Sequence, residues 1–397
     1  MDFRFTPEEE AFRQEVQQFI EEELPSGYWG GLESEFDPDR FDFTKRIARK
    51  LGAKKWLAMN WPKEYGGLEA STIKHMIFKE EAAYHQLPGI DMGVGGITWV
   101  GPTLLILGTD EQKKEHLPPL AVGEKWWCTM YSEPGAGSDM ANVMCRAVLQ
   151  GDEYIINGQK VWTSAAHIAN WGWLLVRTDP DADKKHHGIS LLLIDMETPG
   201  ITVRPLLNMA GHRFFNEVFF DNVHVPRRNL IGEENRGWYH CMIAMAFERT
   251  MGVMIAAAAR RLVEELIRFV NETEVNGQPL GKDLSIRQKL AELAIEVEIA
   301  RVMGYRIVWQ QTKGEMPGYE APMIKVFASE TLQRITDVGT QIMGLYGQLW
   351  LGSKWAPLGG MIPDMYMNSA GMLIAAGTSE ILRNIIAERG LGLPRGV

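Results

Sequence analysis

The spacing of apolar residues changes character twice along this chain, and that double switch limits its fold more than any other feature. Near the start, Thr6 can cap a helix, Pro7 suits its first turn and Glu9 completes a capping box. Phe12, Val16, Phe19, Ile20 and Leu24 then recur at helical spacing. Phe41 to Leu57 repeats that period more loosely, and Thr72 to His85 again favours helix. Leu104 to Leu120 reads as helices broken at Gly108-Thr109-Asp110. After Trp126 the pattern becomes that of strands: Tyr154-Ile155-Ile156, Val161-Trp162-Thr163, Trp173 to Val176, Ile189 to Ile194, Ile201 to Val203 and Val218 to Phe220. Asn157-Gly158 between two β-rich runs predicts a hairpin, and Gly151-Asp152 a turn.

Helix returns at Cys241 to Phe269, which is long and apolar, and continues at Leu284 to Val308, Tyr319 to Leu345 and Ser379 to Arg389. Gly390, Gly392 and Pro394 stop it. Glu272 to Gly281 reads as a polar loop, and residues 346–372, rich in Gly, Trp and Met, as a long unusual one. The expected class is α+β: an N-terminal helical domain over residues 1–125, a central antiparallel β-barrel-like domain over 126–236, and a C-terminal helical bundle over 237–397.

Charge and composition exclude several functions. The chain of 397 residues is 45% hydrophobic and 23% charged, ordinary globular values that exclude wholesale disorder. A net charge of −10 with no basic block argues against nucleic acid and anionic membranes as partners. Cys128, Cys145 and Cys241 offer neither a disulfide framework nor zinc spacing, so no metal is expected. The opening residues Met1 to Phe5 lack the apolar core of a signal peptide, and a soluble cytoplasmic protein is expected. No phosphate loop, Gly-x-Ser-x-Gly elbow or dinucleotide-binding glycine pattern is present; Gly93-Val94-Gly95-Gly96 has Thr98 where the last glycine would fall.

Three segments remain informative. Thr129 to Asp139 includes Ser132-Glu133-Pro134-Gly135-Ala136-Gly137-Ser138, whose small residues can expose backbone N–H groups to a ligand or simply form a tight surface loop. Trp162-Thr163-Ser164 sets an aromatic face beside hydroxyls, or places a Trp in the core. Ala375-Ala376-Gly377-Thr378-Ser379-Glu380 starts a helix whose free N–H groups can face a phosphate, or is an ordinary cap.

Together with Asn157-Gly158-x-Lys160-x-Trp162-Thr163-Ser164, Val218-Phe219-Phe220-Asp221-Asn222-Val223, Gly232-Glu233-Glu234-Asn235-Arg236-Gly237-Trp238 and Gly377 to Arg389, these segments resemble the acyl-CoA dehydrogenases over essentially the whole length. The resemblance implies a helical domain, a β-domain and a four-helix C-terminal bundle. It also implies an FAD enzyme that desaturates an acyl-CoA thioester. By resemblance, Thr129, Met130, Tyr131, Ser132, Gly137 and Ser138 run along the flavin, Ser138 near CoA or phosphate, and Trp162, Thr163 and Ser164 lie at the ring's other side. Gln341, Ile342, Gly344 and Leu345 match a stretch that reaches the adenine half of FAD from a neighbouring subunit, and Thr378 and Glu380 match diphosphate and ribose contacts. A shared site implies an oligomer, a homotetramer or a heteromer with a related subunit. The electron acceptor is expected to be an electron-transferring flavoprotein.

The chain departs from the most familiar members at two places. They carry the catalytic Glu directly before the Gly-Thr of the last motif, where this chain has Ala376, whose N–H remains to serve the thioester oxygen beside Gly377. The resemblance to isovaleryl-CoA and long-chain acyl-CoA dehydrogenases instead implies Glu248 as the base and Arg249 as a CoA contact. From Cys241 to Ala259 these are the only charged residues, and charge in so apolar a stretch is costly unless paired or used. The polar loop lacks the Arg that many relatives carry toward the FAD diphosphate, and Arg287-Gln288 are the substitutes on offer. Three alternatives stand beside an active dehydrogenase: an oxidase or enoyl-CoA reductase, a non-catalytic partner subunit, and the DNA-binding relative that the acidic charge disfavours. Trp99, Met92, Met251, Met254, Trp350 and Trp355 line an acyl pocket or belong to the core, and residues 346–372 are expected to shape that pocket for a bulky, branched or cyclic acyl group.

Overall fold

The computed structural model describes residues 4–30, 36–246, 251–315 and 317–395. They pack as two compact units, Met1–Leu32 with Ser71–Leu87 and Arg249–Val397 in one, and Glu33–Ala70 with Pro88–Glu248 in the other.

The first unit is helical. Helix α1 (Pro7–Glu23) starts as the sequence dictates: the Thr6 N–H donates to Glu9 Oε2 at 2.7 Å and the Glu9 N–H to Thr6 Oγ1 at 3.3 Å. The unit also holds α3 (Thr72–His85), α7 (Met251–Glu272), α8 (Leu284–Thr312), α9 (Glu320–Met343), α10 (Met361–Ile374) and α11 (Ser379–Ile385). Leu262, Leu266, Leu293, Leu332, Ile335 and Ile362 form its core.

The second unit joins α2 (Phe41–Ala53), α4 (Gly101–Leu107), α5 (Asp110–Ala121) and α6 (Gly237–Ala246) to a seven-stranded sheet. Its strands are β1 (Trp127–Met130), β2 (Arg146–Gln150), β3 (Glu153–Lys160), β4 (Trp171–Arg177), β5 (Ile189–Asp195), β6 (Ile201–Leu206) and β7 (Phe215–Pro226). They run in the order β1-β4-β2-β3-β7-β6, with β5 also paired to β4. Four pairs are antiparallel, whereas β1 and β2 each lie parallel to β4. Cys128, Met130, Tyr154, Ile156, Leu174, Leu192 and Val218 pack its interior.

Three sequence expectations change. Asn157-Gly158 is not a turn: β3 runs through it, with a bulge between Ile156 and Gly158 against β7. The hairpin joins β2 to β3 at Gly151-Asp152, where Gln150 pairs with Glu153. Gly158 is required for another reason, since a Cβ there would lie 2.8 Å from the Cys145 Cα. Second, Val161-Trp162-Thr163 is not a strand, because β3 ends at Lys160 and Trp162 turns into the left-handed region with φ +58°. Third, residues 346–372 are not one long loop, because α10 begins at Met361 after three left-handed residues, Leu358, Gly359 and Gly360. The expected helix from Cys241 to Phe269 is seen as α6 and α7, and Glu248 and Arg249 between them lie outside the described residues.

Candidate active site

In the sheet unit, the Thr129–Ser138 segment runs off the end of β1, which stops at Met130. Past Met130 the strand pairing stops, and Pro134, Gly135 and Gly137 prevent a new ladder. Local hydrogen bonds hold the segment instead. Glu133 N–H donates to the Ala136 carbonyl, and Ala136 N–H to the Glu133 carbonyl, each at 3.0 Å. The Val161 N–H donates to the Ser132 carbonyl at 3.0 Å, which joins the Thr129–Ser138 segment to the one carrying Trp162, Thr163 and Ser164.

A buried ion pair underlies that junction. Lys160 Nζ stands 2.8 Å from Glu133 Oε1, with the lysine side chain fully buried and the glutamate 8% exposed. The same ammonium donates to the Tyr131 carbonyl at 3.0 Å. Glu133 also accepts the backbone N–H groups of Met144 at 2.6 Å and Cys145 at 2.9 Å. Both carboxylate oxygens are thereby satisfied, as a buried charge requires.

Trp162 is 60% exposed despite its size, and it meets Phe215 edge-on at 5.8 Å. A bulky residue held left-handed stores strain, and such outliers gather at functional sites. Thr163 is anchored on both sides: its N–H donates to the Asn216 carbonyl at 3.0 Å, and Asn216 Nδ2 donates to its carbonyl at 2.9 Å. Its own hydroxyl is buried and finds no partner among the described residues. Tyr131 takes the Trp173 indole N–H on its hydroxyl at 2.9 Å and faces Trp99 at 6.2 Å. Behind it, burial pushes the Cys241 thiol up to about 12, which a hydrogen bond with Tyr131 only partly offsets. Cβ atoms added at Gly135 or Gly137 would meet nothing within 4 Å. An exposed flat aromatic, an orphaned buried hydroxyl and open small residues fit a planar group with polar edges, such as an isoalloxazine ring.

The helical unit holds the remaining candidates. Ala376 (φ +54°) and Gly377 (φ +90°) are both left-handed. Thr378 caps α11, accepting the Ile381 N–H at 3.2 Å. Glu380 is held below the usual carboxylate range, first by its own backbone N–H and then by Thr378. Lys325 of α9, 6% exposed, donates to the Gly377 carbonyl at 2.8 Å. Lys289 donates to Gln341 Oε1 at 3.1 Å, which brings the end of α9 to the first turns of α8. There Arg287 donates to the Gly281 carbonyl at 3.1 Å and Gln288 to Glu292 at 3.4 Å. Ile342 is half-buried, Gly344 is left-handed at φ +58°, and Leu345 is 82% exposed. Of the pocket candidates, Met92 is buried, whereas Trp355 is exposed.

Sequence reasoning assigned no role to Lys160, Glu133, Lys325 or Asn216. Lys325 could have been found, since it is a lone cation in the apolar run Met323-Ile324-Lys325-Val326-Phe327-Ala328, the kind of signal that singled out Glu248.

Family descriptions match nearly the whole chain. The family descriptions "Acyl-CoA dehydrogenase, N-terminal domain", "middle domain" and "C-terminal domain" match residues 6–124, 128–223 and 235–391. Acyl-CoA dehydrogenase FadE26 of Mycobacterium tuberculosis is 32% identical over 100% of this chain and 99% of its own length. FadE34 of the same organism is 35% identical over 85% of this chain, which spans only 45% of FadE34. Among solved structures, the "Tcur3481-Tcur3483 steroid ACAD" superposes with a TM-score of 0.89 at 30% identity over 100% of both chains. The ChsE4-ChsE5 complex from M. tuberculosis gives 0.87 at 31% identity, also over 100% of both chains.

Proposed function

The chain belongs to the acyl-CoA dehydrogenase family, and on that premise we propose that it desaturates a bulky acyl-CoA thioester between the α and β carbons, with Glu248 as the base. The supporting observation is the joining of Tyr131–Ser132 to Trp162–Ser164 through the Val161–Ser132 bond, which makes one wall from the two segments expected to face the flavin. FAD, when bound, supplies the acceptor for the hydride from the β carbon.

The chain's own residues do the rest. Thr129 to Ser138 offer backbone groups to the ring edge, and Trp162 covers its face. Glu248 takes the α proton. The acid is weak, so charge on the thioester oxygen needs a donor, and the Ala376 N–H is assigned to that role. Arg249 and Ser138 contact CoA. Thr378, Glu380, Gln341, Ile342, Gly344, Leu345, Arg287 and Gln288 are assigned to the nucleotide half of FAD. The electron acceptor is an electron-transferring flavoprotein.

Similarity to a steroid acyl-CoA dehydrogenase supports a large cyclic acyl group. Ala376 and similarity to the two-component ChsE4-ChsE5 complex favour a heteromer with a related subunit over a homotetramer. The exposed apolar side chains Leu284, Ile295, Ile299 and Val302 along α8 suit burial by another subunit.

The test is an acyl-CoA panel, run alone and with co-expressed candidate partners, read by bleaching of flavin absorbance. Steroid-type thioesters should outperform butyryl- and octanoyl-CoA. Glu248→Gln should slow the reductive half-reaction by roughly 10²–10⁴. Near-normal rates in that variant would remove Glu248 as the base, and a colourless, flavin-free protein would favour the non-catalytic reading.

A further inference from the structure

We infer that Lys160 is a positioning residue for flavin binding, holding the Tyr131 carbonyl and so aiming the Tyr131–Ser132 edge at the ring; this rests on the FAD reading above. The role follows from what secures the segment after β1. The last register pair of β1 with β4 is Met130 with Leu174, one residue before Tyr131. Ser132 is tied by the Val161 N–H, and Glu133 and Ala136 by each other. At Tyr131, the described tether on the carbonyl is the Lys160 ammonium.

The chemistry explains why a lysine occupies a fully buried position. A neutral side chain of similar volume would fill the space but withdraw the ammonium's bond from the Tyr131 carbonyl. The ammonium reaches two acceptors at once, the Tyr131 carbonyl at 3.0 Å and Glu133 at 2.8 Å. Glu133 neutralises it and extends the tether to Met144 and Cys145, the residues leading into β2. Lys160 is also the last residue of β3, directly before Val161 and the strained Trp162. One buried pair therefore ties three pieces of backbone: the exit of β1, the entry to β2 and the end of β3. Buried ion pairs add little net stability compared with apolar packing, and their attested use is to specify one arrangement.

The test compares wild type with Lys160→Met, Glu133→Gln/Lys160→Met and Lys160→Arg, and with Glu264→Gln in the helical unit as a remote control. FAD is titrated into deflavinated protein by fluorescence quenching, and the apoprotein is melted separately. The double variant leaves no uncompensated buried carboxylate, so it isolates the lost tether from a stranded charge. The expected result is a cooperative melt with FAD binding weakened tenfold or more and altered fine structure in the visible flavin band, while Glu264→Gln leaves FAD affinity unchanged. A folded double variant whose Kd for FAD stays within twofold of wild type overturns the inference. Should the double variant fail to melt cooperatively, Lys160→Arg decides by the same thresholds, because it keeps the charge and displaces the donors. Wild type that takes up no FAD, alone or co-expressed with candidate partner subunits, overturns the FAD reading and this inference together, whereas tight wild-type binding with unaffected variants overturns the inference alone.

Discussion

Lys325 and Gly377 are 52 positions apart in the chain, yet the lysine ammonium lies 2.8 Å from the glycine carbonyl oxygen. That bond ends on the turn where Ala376 and Gly377 adopt positive φ, a conformation that costs a non-glycine residue about 1–2 kcal/mol. A buried cation thus holds a strained turn that the proposed mechanism uses to meet the thioester oxygen.

Removing that cation should disturb the turn without emptying the flavin wall. Lys325→Met is expected to lower kcat/KM for the acyl-CoA by roughly tenfold or more, since small misplacements near the chemistry are expensive. FAD content should fall by much less than kcat/KM, because Thr378 and Glu380 beside the turn are only part of the assigned FAD contacts. Steady-state kinetics beside the flavin-to-protein absorbance ratio checks this, and unchanged kcat/KM refutes it.

The bulge at Gly158 should tolerate no side chain. Gly158→Ala places a Cβ 2.8 Å from the Cys145 Cα and Sγ, and overpacking of this kind costs about 1–3 kcal/mol. Gly151→Ala, at φ +62° with nothing within 4 Å, should cost only the left-handed penalty of about 1–2 kcal/mol. Urea midpoints of the two variants provide the comparison, and equal midpoints would mean that β3 relaxes around the new methyl.

Acid should weaken the helical unit through His75. Burial, and then the like charge of Lys79, hold its imidazole down at about 3 from an ordinary 6.5. The folded state therefore keeps His75 neutral while the unfolded chain binds a proton below pH 6.5. Its contribution is complete above 6.5 and is lost as pH falls from 6.5 toward 3, at most about 1.4 kcal/mol per pH unit. His75→Gln should flatten that part of the stability profile between pH 6.5 and 5. An unchanged slope in urea titrations would show that His75 takes up its proton without unfolding.

The legible parts of the fold were those governed by near neighbours. Thr6, Pro7 and Glu9 announce α1 because a capping box is complete within four residues. The near-continuous apolar runs from Trp171 to Arg177 and from Ile189 to Asp195 announce strands because burial on both sides selects apolar side chains. Asn157-Gly158 misled because its glycine answers to Cys145 at the entry to β2 rather than to a local turn. The helix α10 was hidden by the glycines and tryptophans before it.

The same division runs through the site. The segments Thr129–Ser138, Trp162–Ser164 and Ala376–Glu380 could be picked out one by one, since small, hydroxylated and aromatic residues advertise their chemistry locally. What joins and holds them is legible only in space: Lys160 meets Glu133 and Tyr131, and Lys325 meets Gly377. Amino-acid order by itself determined the succession of helix, sheet and helix, because hydrophobic periodicity acts over one or two turns of backbone. Tertiary structure alone decided which distant carbonyl each buried ammonium would grip, because a charge removed from water takes whichever acceptor the folded chain carries to it.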